Sequence, residues 1–116
     1  MTVKDIWDYH VATGCPLRRA KVLLSTMPSD LRDRVLMAAR QGGNQKWLVD
    51  PIEVDPLLAD KVRLAAEEAQ QNADLGDHHG RGRCHVVWSM QKTILADRYG
   101  ITWFSPREMN PDVWFD

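Results

Sequence analysis

Apolar residues recur at intervals of three, four and seven along most of this chain, which is the period of amphipathic helices. The strongest case runs from Cys84 to Tyr99. Cys84, Val87, Trp88, Ile94, Leu95 and Tyr99 fall on one side, with Gln91 inside that face, while Ser89, Lys92, Thr93, Ala96 and Asp97 mostly take the other. Arg98 in the last turn complements the helix dipole, and Gly100 follows where a left-handed stop costs least. Burying Trp88, Ile94 and Leu95 contributes roughly 1.5–3 kcal/mol each. A helix this apolar needs cover, so the pattern places it at the heart of the molecule with the others packed around it.

Weaker stripes flank it. Thr2 and Asp5 form a capping box for a first helix over about 3–12, with Val3, Ile6, Trp7 and His10 or Val11 on its apolar side and Gly14 as its stop. Pro16 opens a second helix, with Leu17, Ala20, Leu23, Leu24 and Met27 inward, and Pro28 ends it. Ser29 and Asp30 cap a third, with Leu31, Val35, Ala38 and Ala39 inward and Gly42-Gly43 closing it. Asp55 and Pro56 start the longest helix, whose seam is Leu58, Val62, Ala65 and Ala69, widened by Leu57 and Leu64. Ser105-Pro106-Arg107-Glu108 is a second capping box on a short turn that Asn110-Pro111 ends. The apolar runs Trp47–Val49 and Ile101–Trp103 have room to pair as a minor two-stranded ribbon. Trp114 and Phe115 imply that the segment after Pro111 is docked, since a free tail gains nothing from two aromatics.

The expected architecture is mainly α: one compact single-domain bundle, 1–116, of five or six helices. With 44% apolar and 27% charged residues the chain is not disordered. No apolar run reaches the ~20 residues of a membrane span, and no leader peptide opens the chain, so a soluble cytoplasmic protein is expected. Cys15 and Cys84 are expected reduced.

The net charge of −1 hides an asymmetry. Residues 16–46 carry seven basic groups against two acidic ones, a balance of +5; residues 47–77 carry eight acidic groups against two basic ones, a balance of −6. These segments either compensate each other or offer the basic half to an anionic partner. Helices two and three have the outline of a helical hairpin or helix-turn-helix, in which Arg18, Arg19, Lys21, Arg32 and Arg34 would serve a nucleic acid. A slightly acidic chain weighs against that reading.

Three further constellations bear chemistry. Gly80-Arg81-Gly82-Arg83 leads into the central helix, and glycine amides, a helix start and two arginines suit an anion or a partner surface, with His78 and His79 adding titratable charge. His78, His79, Cys84 and His85 supply metal-ligand types, but their spacing matches no closed zinc pattern. Cys84 at a helix start has the setting of an acidified thiol, without an orienting third group. The five tryptophans belong to the core by default, and one or two on the surface would mark a partner site. The expectation is therefore a small non-enzymatic binding or adaptor protein, without a cofactor, meeting a protein partner as a monomer or homodimer. The alternatives are a nucleic-acid-binding helical module and a metal- or thiol-dependent enzyme centred on Cys84.

Overall fold

Capping boxes and left-handed glycines fix several of the helix ends, though Ser29 and Asp30 do not cap the third helix, whose cap position is Pro28. The computed structural model describes residues 1–42, 46–76, 78 and 80–115. It is mainly helical: α1 (Val3–Thr13), α2 (Leu17–Thr26), α3 (Ser29–Gln41), a 3-10 turn (Pro51–Val54), α4 (Ala59–Leu75), α5 (Arg83–Tyr99) and α6 (Pro106–Met109). Both capping boxes form, Thr2 with Asp5 and Ser105 with Glu108. Gly14 and Gly100 close α1 and α5 at φ 73° and 65°, the left-handed region that favours glycine. α4 begins later than the Asp55-Pro56 pair suggests. Asp55 instead caps the preceding turn, accepting from the Leu57 N–H at 2.9 Å.

The helices sort into two groups. α1 packs on both α2 and α3, and α6 joins α3. Their shared core holds Tyr9, Ala20, Leu23, Leu24, Val35, Leu36, Phe104 and Met109. The second group is the α4–α5 hairpin. Val62, Ala65, Ala69 and Ala73 form the buried seam of α4, where small side chains let α5 approach with Val87, Gln91 and Leu95. Gln91 is satisfied there, its Nε2 donating to the Val62 carbonyl at 3.3 Å. The seam is thus intramolecular, as the spacing suggests, but Leu57 and Leu64 do not widen it; they are 85% and 48% exposed.

The placement of α5 at the centre of the bundle is corrected. Its main helical neighbour is α4, and Trp88, Ile94 and Tyr99 are only half-buried. The two groups meet instead at the 3-10 turn, which contacts both α3 and α4, and at two consecutive residues of the segment before α6. Trp103 belongs to the core under α4 and α5, and Phe104 to the core of α1, α2 and α3.

Asp50 ties this junction. Its carboxylate is buried and accepts from Arg34 Nη1 at 2.8 Å through both oxygens, from the Ile52 N–H at 3.2 Å and from the Phe104 N–H at 2.9 Å. The same Arg34 nitrogen donates to the Thr102 carbonyl at 3.2 Å. Asn110 does similar work beside it, accepting from the Leu48 N–H at 2.8 Å and donating to the Leu48 carbonyl at 2.7 Å. No ribbon forms among the described residues, and these bonds give the reason. Both backbone groups of Leu48 are bonded to the buried Asn110 side chain and the Thr102 carbonyl accepts from Arg34, so strand pairing has less to offer.

Candidate binding cleft

The periodicity of α1 admits two apolar faces, and the fold buries the less obvious one. Tyr9 is buried, with Ile6 and His10 half-buried beside it. Burial pushes the Tyr9 phenol up to about 12, with the Cys15 and Asp112 side chains adding to the effect. His10 is a boundary residue, its Nδ1 donating to the Cys15 carbonyl at 2.6 Å. The expected inward residues Val3, Trp7 and Val11 face outward instead, at 83%, 53% and 64% exposure. They form an apolar stripe at spacings of four.

Trp7 and Val11 make one wall of a cleft of about 850 Å³. The end of α3 contributes Ala38, Ala39 and Arg40; the segment from Lys46 to Pro51 contributes Trp47 and Leu48; Val54 and Val113 complete the rim. Trp47 is 38% exposed and Val54 70%. Apart from Lys46, the charged side chains lining this cleft are engaged. Arg40 Nε meets Asp8 at 2.9 Å and its Nη2 reaches Asp5, while Lys4 pairs with Asp8 at 3.0 Å. Hydrogen bonds from Arg40 and Lys4 hold the Asp8 carboxyl below the usual carboxylate range, and Asp50 is saturated with donors. The Asp8 carboxylate, held ionised by these bonds, is a poor proton donor at neutral pH. The lining offers apolar contact, two indoles and fixed charge.

Trp47 also joins a second feature. The Phe115 ring meets Trp47 edge-on at 5.0 Å and 77°, and Trp88 at 5.2 Å and 87°. His85 stacks edge-on against Trp88 at 5.7 Å, and its Nε2 donates to the Phe115 carbonyl at 2.8 Å. Pairs of this kind contribute roughly 0.5–1.5 kcal/mol each beyond the area they cover. Of the two aromatics expected to dock, Phe115 does so through these contacts, and the Trp114 side chain is 87% exposed.

The glycine-arginine loop takes a different role for each arginine. Gly80 and Gly82 adopt φ 75° and 79°, turning the chain sharply from α4 into α5. Arg83 points back onto α4. Its Nη1 lies 2.7 Å from both the His78 carbonyl and Asp74 Oδ1, and its Nη2 lies 3.5 Å from the Gln70 carbonyl. A guanidinium there ties the loop to the end of α4 and complements the helix dipole. Arg81 and His78 are exposed, and His79 lies outside the described residues. Arg83 is thus engaged with the end of α4, while Arg81 is open to solvent.

The described members of the metal set do not form an ion site. His85 is occupied with Phe115, and among the described residues no three His, Cys, Asp or Glu side chains are placed to hold one ion. Cys84 is half-buried in the first turn of α5. Of the basic residues on α2 and α3, Arg19 pairs with Asp112 at 2.8 Å and Arg34 with Asp50, while Arg18 and Lys21 are exposed and Arg32 is half-buried. The acids that answer the basic segment come mostly from elsewhere: Asp5, Asp8 and Asp112, with Asp50 alone from 47–77 among these pairs. No described helix is long and apolar enough to cross a membrane. Compared with known proteins, the chain matches no family model, no curated protein and no solved structure.

Proposed function

We propose that this chain is a non-enzymatic binding protein that takes an apolar, aromatic-bearing segment of a partner protein into the cleft between α1, the end of α3 and residues 46–54. The observation that carries the reading is the pair of surface indoles, Trp7 and Trp47, lining one cleft with Val11 and Val54. Exposed tryptophans grouped with aliphatic side chains in a concavity have the composition of interaction hot spots. The Asp8 carboxylate of the lining, held below its ordinary range by Arg40 and Lys4, suits a fixed rim better than proton transfer.

The test is selection from a displayed peptide library on the wild-type chain and on the Trp7→Glu/Val11→Glu variant, with circular dichroism to show that both are folded. Enriched aromatic-containing peptides should bind the wild type and lose about 30-fold or more on the variant, the scale of a 2 kcal/mol hot spot. Equal enrichment on both chains, or none on the wild type, overturns the reading.

A further inference from the structure

We infer that the cleft selects a partner segment carrying an acidic side chain close to its aromatic anchor, and that Lys46 is the residue that reads that carboxylate. The inference rests on the reading of the cleft as a peptide site and names the chemistry of what enters it. The charged residues of the lining are Lys4, Asp8, Arg40, Lys46 and Asp50. Asp5 answers Arg40, and Arg34 answers Asp50, from outside the lining. The group therefore holds one more cation than it holds carboxylates. The surplus falls on Lys46, which has no ion-pair partner among the described residues.

The paired charges are also layered. The Lys4 and Arg40 side chains are 77% and 46% exposed, whereas Asp5 and Asp8 are 19% and 15% exposed and Asp50 is fully buried. An arriving partner meets cations whose counter-charges are withdrawn into the protein. Lys46 is itself exposed, and it adjoins Trp47, with Cα atoms about 3.8 Å apart across a trans peptide bond. A ring seated on Trp47 brings the next residues of its own segment within reach of the Lys46 ammonium. A concave wall of low polarity focuses such a field, steering an acidic segment in and rejecting a basic one. An exposed pair of this kind adds little affinity, so its effect is selection rather than strength. A nucleic acid suits the site less well. Its phosphates call for a track of cations, while this cleft has one to spare and the chain carries a net −1.

The experiment uses synthetic peptides in which a central Trp or Phe is flanked by Glu, Gln or Lys in otherwise identical apolar sequences. All are amidated, so that a side chain is the only source of a carboxylate. Affinities are measured for the wild type, Lys46→Met and Lys46→Glu, each checked by circular dichroism. The wild type should prefer Glu-flanked over Lys-flanked peptides about ten-fold at low salt. That preference should shrink at about 0.5 M salt, disappear in Lys46→Met and reverse in Lys46→Glu. A preference unchanged in both variants overturns the assignment of Lys46. Equal affinity of the wild type for Glu- and Lys-flanked peptides, with binding still lost in Trp7→Glu/Val11→Glu, overturns the acidic partner and leaves the cleft reading standing. No binding by any peptide overturns both. Tighter binding of a single-stranded oligonucleotide than of any peptide, lost in Lys46→Glu, overturns the inference in favour of a nucleic acid.

Discussion

Arg34 and Asp50 lie 16 positions apart, yet Arg34 Nη1 sits 2.8 Å from both oxygens of the Asp50 carboxylate, whose side chain is 0% exposed. The remaining acceptor capacity goes to the Ile52 and Phe104 amides. One carboxylate thereby joins α3, the 3-10 turn and the segment carrying Trp103 and Phe104, and so joins the two cores. Breaking a buried pair leaves an uncompensated partner and costs about 3–5 kcal/mol. Asp50→Ala should lose stability on that scale in urea unfolding. Arg34→Met should lose stability on a similar scale, because it leaves the fully buried carboxylate without its counter-charge. A loss below about 1 kcal/mol for Asp50→Ala would contradict its role at the junction.

Glu53 gives the junction a pH signature. Burial raises its carboxyl above the ordinary glutamate value and the neighbouring Asp50 charge adds to this, while the 3.1 Å hydrogen bond from Trp103 Nε1 opposes both. The folded state therefore holds the Glu53 proton more tightly than the unfolded state. Its contribution is fully present below the unfolded value and is lost as pH rises through the raised folded one. Asp5, Asp8 and Asp112 work in the opposite direction. Their carboxyls are lowered, chiefly by the Thr2 N–H, Arg40 and Arg19 respectively, so their contributions fade as pH falls. Glu53→Gln keeps an acceptor for Trp103 and should match the wild type in strong acid but exceed its melting temperature at pH 7. A variant less stable than the wild type at pH 7 would contradict this assignment.

The two arginines of the glycine-arginine loop should separate cleanly. Arg83→Ala removes the clamp on the end of α4 and should cost roughly 1–2 kcal/mol, with faster amide exchange over residues 70–76. Arg81→Ala should stay within about 0.5 kcal/mol of the wild type, as surface substitutions usually do. Equal effects at both positions would return the loop to a single functional unit.

Much of the fold was legible because helices announce themselves locally. The boxes at Thr2 and Ser105, the stops at Gly14 and Gly100 and the seam through Val62, Ala65 and Ala69 each need only neighbours within a few residues. What was not legible is where long-range partners lie. Val3, Trp7 and Val11 are as regularly spaced as Ile6, Tyr9 and His10, and spacing alone does not say which row faces inward. The expected apolar side leaves out Tyr9, and the burial of Tyr9 turns Trp7 outward into the cleft. Asp50 before Pro51 reads as a cap, which it is, but nothing nearby in sequence reports its bond to Phe104, 54 positions away. The clustered histidines drew attention to a metal set, whereas the fold commits His85 to a backbone carbonyl.

The most direct measurement of the central claim follows the five indole N–H resonances while a peptide selected on the wild-type chain is titrated in. Trp7 and Trp47 should shift together and saturably, Trp103 should stay fixed in the core, and Arg81→Ala should leave the titration unchanged. Shifts that spare Trp7 and Trp47, or a titration abolished by Arg81→Ala, would contradict the cleft as the binding site.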